Sequence, residues 1–169
     1  MVEIFESPVE DLHVQFSNLK YVKLQTCVTR ECVLAIIHLL NASPQIEIVS
    51  LQNIENVTSW EQLHEDERMR TSANMVEWSD LALSNQCMIH HRLKVLEIHS
   101  FIGCLNELKL LQMMLKNAAA LEEMLIWTMK DEMTSGRKEH LINFKKMLLK
   151  TPRASSNVAI SFFIESLKA

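Results

Sequence analysis

The chain has 169 residues, 48% hydrophobic and 22% charged, which suits one globular domain with a buried core and suggests neither disorder nor a membrane protein. A net charge of −4 and a pI near 6.0 argue against nucleic acid as a partner, because that needs a broad basic face. Cys27, Cys32, Cys87 and Cys104 form no CxxC pair, and an acidic start with Glu3, Glu6, Glu10 and Asp11 is unlike a secretory leader. The longest uncharged stretch, Cys32 to Ile46, is too short to span a bilayer. The expectation is an intracellular protein of the cytoplasm or nucleus, without a membrane segment.

In chain order, one pattern recurs four times: Leu19, Val22, Leu24, Cys27; Ile46, Val49, Leu51, Ile54; Leu93, Leu96, Ile98, Phe101; and Leu121, Met124, Ile126, Met129. This LxxLxLxx spacing is the strand signature of a leucine-rich repeat, and members of each pair lie roughly 27 to 28 residues apart. Within a copy, positions 4 and 6 face one side of a strand, and position 5 faces the other. After the first strand, Thr29 is the expected N-cap of a helix to about Leu40. Its apolar residues Val33, Ile36, Ile37 and Leu40 share one helical face. Asn41 to Pro44 ends that helix, and Ile46 starts the next strand.

The second copy repeats the order, with a strand from Leu93 to Ile98, a helix opened near Asn106 and buried through Leu108, Leu111, Leu115 and Ala118, and a strand from Leu121 to Ile126. Strands joined by a helix are expected to be parallel. Between the copies, Asn53 to Arg92 is polar and reads as loop and irregular helix, and Asp131 to Lys138 reads as a solvated connection. A last helix from about Lys138 to Lys150 turns Leu141, Phe144 and Leu148 inward and stops at Pro152. Val158, Ile160, Phe162 and Ile164 alternate as the buried side of a closing strand. The expected fold is α/β, a leucine-rich-repeat-like solenoid with a parallel sheet on one face and helices on the other. An ordinary doubly wound α/β domain is the alternative.

The outward positions of that sheet are the candidate binding residues: Tyr21, Lys23 and Gln25; Ile48, Ser50 and Gln52; Val95, Glu97 and His99; Glu123, Leu125 and Trp127. Tyr21, Lys23, Gln25, Glu97, His99, Glu123, Leu125 and Trp127 carry the partner-binding reading, with Tyr21 and Trp127 as aromatic anchors. Their mixture suits another protein better than a small-molecule substrate. Cys87, His90, His91 and His99 suggest zinc but offer only half of a paired site. Cys32 and Cys104 have no local activating group, and no glycine-rich loop opens a helix to cradle a phosphate. Arg137, Lys138, Lys145, Lys146, Lys150 and Arg153 cluster around the last helix and read as its solvated face. No catalysis, cofactor or metal is expected.

An ordered set of residues carries a family resemblance: Cys87; Leu93-Lys94-Val95-Leu96-Glu97-Ile98; Phe101 and Gly103; Asn106-Glu107-Leu108; Leu115-Lys116-Asn117-Ala118; Leu121-Glu122; Met124; and Pro152-Arg153-Ala154-Ser155-Ser156. From Trp78 onward the chain resembles the FBD domain at the C-terminus of many plant F-box proteins, where it follows leucine-rich repeats. Gln86 stands where that pattern usually has proline. The resemblance divides the chain into a leucine-rich-repeat-like region, residues 1–77, and an FBD-type region, residues 78–169, in one continuous structural domain. In the family, the F-box engages the adaptor of a cullin-based ubiquitin ligase and the repeats are taken to select the substrate. The resemblance thus implies a non-catalytic interaction module that selects substrates for an SCF-type ligase. Only 18 residues precede Leu19, too few for an F-box, so the competing expectation is a remnant or competitor that binds a partner without recruiting a ligase.

Overall fold

A computed structural model describes residues 2–3, 16–26, 30–54, 92–129 and 135–165. Most of the expected irregular segment, the boundary between residues 77 and 78, and Cys27, Thr29, Cys87, His90 and His91 lie outside the described residues. Among the described residues six strands form one sheet: β1 (Val2–Glu3), β2 (Tyr21–Thr26), β3 (Ile48–Asn53), β4 (Val95–Phe101), β5 (Glu123–Met129) and β6 (Ala159–Glu165). Their spatial order is their chain order, and every neighbouring pair is parallel. The helices among the described residues are α1 (Arg30–Asn41), α2 (Leu105–Asn117) and α3 (Ser135–Leu149). A doubly wound sheet reverses its strand order at a switch point and carries helices on both faces. Here the order never reverses.

The period-2 alternation decides which face is buried. Val22 and Leu24, Val49 and Leu51, Leu96 and Ile98, and Met124 and Ile126 are at most 4% exposed. They share one core cluster with Val33, Ile36 and Leu40 of α1, Leu108, Leu111 and Leu115 of α2, and Phe144 and Leu148 of α3. All three helices therefore cover the same side of the sheet.

The backbone entering each strand is also repeated. The carbonyl of Lys20 accepts from the N–H groups of Glu47 and Ile48, that of Glu47 from Lys94 and Val95, and that of Lys94 from Glu122 and Glu123. A matching turn precedes three of the strands, with the N–H groups of Leu19, Ile46 and Leu121 donating to the carbonyls of Phe16, Ser43 and Ala118. Equivalent positions thus meet equivalent hydrogen bonds, which keeps the strands in register.

The junction of β4 and α2 departs from this regularity. Ile98 pairs with Ile126 and Phe101 with Thr128, so β4 spends one residue more than β5 over that interval. Ser100 absorbs it with φ +54°, a bulge geometry. The extra residue returns Phe101 to the core side, where its ring meets Phe144 edge-on at 4.8 Å. Gly103 then takes φ +89°, open to glycine and rarely to other residues. Cys104 is the N-cap of α2, and Glu107, three residues on, reaches back as in a capping box. The Glu107 carboxyl accepts from the N–H groups of Gly103 at 2.7 Å, Cys104 at 2.9 Å and Ile102 at 3.3 Å. From α3, Arg137 Nη2 lies 3.5 Å from the carbonyl of Phe101, and His140 Nε2 lies 2.7 Å from that of Gly103. Burial pushes the Glu107 pKa up to about 7, against the three N–H donors, which favour the charged form.

Three expectations need correction. The third helix starts at Ser135 rather than Lys138, so the expected connection is shorter. Arg137 belongs to the interior at 8% exposure, because the first turn of α3 packs over the β4–α2 junction, and it is no part of a solvated basic cluster. On β6, Ile164 is 59% exposed instead of buried, whereas Ile160 and Phe162 pack against the core as expected.

Leu96→Asp places an unpaired carboxylate at a position with no exposed surface, at a cost of several kcal/mol against a total stability of about 5–15 kcal/mol. The expected outcome is loss of the cooperative melt by circular dichroism; an unchanged melt contradicts the register. For Glu107, a folded-state pKa near 7 exceeds the ordinary 4.5, so the native state retains a proton that the unfolded chain has released between those values. Its contribution, on the order of 3 kcal/mol, is full below pH 4.5 and is lost as pH rises through 7. Denaturant titrations across that window should show stability falling for the parent and a flatter profile for Glu107→Gln, which is also less stable at pH 5. Parallel profiles would refute this. Gly103→Ala should cost about 1–3 kcal/mol, because alanine at that φ is strained and its Cβ would meet His140 and Leu141 at 3.2 Å.

Candidate interaction face

Parallel register turns the outward residues into rows across the strands. The first runs Tyr21, Ile48, Val95, Glu123 and Ala159; the second runs Lys23, Ser50, Glu97, Leu125 and Ser161. The third begins Gln25, Gln52, His99 and ends Trp127, Phe163. Among the described residues the helices pack on the other face of the sheet, and on this one Ser50 is buried.

The third row holds the ordered geometry. The Trp127 ring stacks on His99 at 4.4 Å and 5°, and on Phe163 at 5.1 Å and 22°. With β4 and β6 flanking β5, the two rings take opposite faces of the indole, and each such pair contributes about 0.5–1.5 kcal/mol beyond area burial. His99 Nδ1 is 3.0 Å from Glu165 Oε1, and His99 Nε2 is 3.5 Å from Glu97 Oε2. Next to this group, Gln52 Nε2 donates to Ser100 Oγ at 2.7 Å, which ties β3 to the bulge. The arrangement is a polar and aromatic platform with an apolar rim at Phe163, 42% exposed.

The structure brings Glu97, His99 and Trp127 into contact and places Leu125 beside Glu97 in the adjoining row. Glu123 is exposed at the opposite strand ends. Tyr21, Lys23 and Gln25 lie on β2, three strand intervals from β5 or about 14 Å at the usual spacing, so Tyr21 and Trp127 belong to different parts of the face. Tyr21 is 53% exposed, whereas both faces of Trp127 are occupied. Sequence reasoning missed Phe163 and Glu165 on β6. The alternation of Val158, Ile160 and Phe162 held the signal, because it turns Phe163 and Glu165 to the side that Trp127 shares.

Elsewhere, Cys104 is buried as the N-cap of α2 and Cys32 is half-buried on α1. Lys138, Lys145 and Lys146 stand on the exposed side of α3, with Lys145 5.2 Å from the centre of the Phe162 ring. Among the described residues, no three His, Cys, Asp or Glu side chains are grouped to hold a metal ion, and no helix is long and apolar enough to cross a membrane.

No family model matches the chain, and no solved structure gives a significant match. An Arabidopsis thaliana protein bearing the name F-box/FBD/LRR-repeat protein is 28% identical over 110 residues, 64% of this chain and 22% of that protein. The chain thus spans less than a quarter of the relative's length. The match supports the group of plant proteins that the motif set between Cys87 and Ser156 resembles.

Proposed function

We propose that the chain is a non-catalytic protein-interaction module of the leucine-rich-repeat solenoid type with an FBD-type C-terminal region, working inside the cell without a cofactor. In this reading it binds a protein partner through the strand face and selects that partner for an SCF-type ubiquitin ligase. The observation that carries the reading is the one-sided sheet: among the described residues the helices lie on one face, and the other carries an array ending in the His99–Trp127–Phe163 stack. Chain-order parallel strands with repeated entry hydrogen bonds support the solenoid assignment. The Arabidopsis relative carries F-box, FBD and LRR-repeat in its name, and the ligase connection is drawn from the resemblance to that group of proteins.

Trp127→Ala removes the middle of the stack while leaving the opposite face intact. Captured from a lysate of the source organism and read by mass spectrometry, a specific partner of the parent chain should fall about tenfold or more, as expected for an interface hot spot. Circular dichroism should show the fold retained. Cullin-ligase subunits recovered with the partner support the ligase role; undiminished capture by a folded Trp127→Ala variant removes the stack from the interface.

A further inference from the structure

The strand face is electrically uneven. On β4 to β6 its charged side chains are Glu97, Glu123 and Glu165 beside His99, with no lysine or arginine at an outward position of those strands. The strand face carries Lys23 two strands away on β2, and the helix side carries Lys138, Lys145 and Lys146 on α3. Glu97 and Glu165 flank His99, with 28% and 27% of their side chains exposed. A neutral imidazole has a single N–H. Donated to the nearer carboxylate, Glu165 at 3.0 Å, it turns a lone pair toward Glu97 at 3.5 Å. Protonated, it serves both, and the three groups still sum to one negative charge. In either state this corner attracts a cation, and its rim is the exposed ring of Phe163.

An arginine or lysine side chain matches that pairing of surfaces, with an apolar stem to lie on aromatic carbon and a charged head that donates to carboxylates. We propose that the β4–β6 part of the strand face receives an arginine- or lysine-bearing segment of a protein partner, its cation held by Glu97 and Glu165 and its stem laid on Phe163. This rests on the strand face being the interaction surface.

The test uses the full chain and short degenerate peptide pools whose fixed central residue is arginine, lysine, citrulline or glutamate, with binding read by fluorescence anisotropy. The arginine and lysine pools should bind about tenfold tighter than citrulline, the neutral isostere. Added salt should shrink that margin. Glu97→Gln/Glu165→Gln should abolish the preference, and Lys145→Gln on the helix side should preserve it. Equal binding of all pools, lost in Phe163→Ala, overturns the cation preference and leaves the strand-face reading standing. A folded chain that binds no pool overturns both.

Discussion

Side-by-side parallel pairing is the constraint on which this structure depends. A parallel strand cannot follow its predecessor through a tight turn; it needs a crossover, and here the described helices all return on one side. That works only if each strand points the same positions at the helices. Val22 and Leu24 line up with Val49 and Leu51, then with Leu96 and Ile98, then with Met124 and Ile126. A one-residue slip anywhere would turn an apolar pair out and a polar one in. The entry carbonyls of Lys20, Glu47 and Lys94 hold the register, each capturing the first N–H groups of the next strand.

The junction after β4 shows how a regular scaffold accommodates an irregular core. The bulge at Ser100 swings Phe101 onto Phe144, the positive φ of Gly103 reverses the chain, and Glu107 gathers the N–H groups left over by that reversal. A buried carboxyl is costly alone, but three buried N–H groups without an acceptor would be costly as well, so each requires the other. Arg137 and His140 bring α3 to two carbonyls of the same turn. Phe101, Gly103 and Glu107, all in the motif set, therefore serve one structural purpose.

Because helix packing uses up one face, the outer face is left to be shaped by its own rows. Across the first two rows the residues from β2 to β6 mix apolar, polar and charged groups with little contact geometry. In the third, rings from three successive strands stack, and carboxylates from β4 and β6 converge on one imidazole. Such a platform is stiffer than isolated exposed side chains, so less side-chain freedom is lost when a partner settles on it.

Local spacing was enough to place α1 and α2, the strands β2 to β5, and the side each strand buries, because periods of 2 and 3.6 are written in consecutive residues. It also marked Glu97, His99 and Trp127 as outward. Spacing could not say that Trp127 is enclosed by His99 and Phe163, nor that Glu165 reaches a histidine 66 residues earlier in the chain. Lateral neighbours are set by strand order and register, and no local pattern encodes those. For the same reason Arg137 looked like a surface cation and Glu107 like one motif letter among several. Their burial follows from α3 docking across the β4–α2 turn, a contact between segments distant in sequence, which the folded chain alone creates.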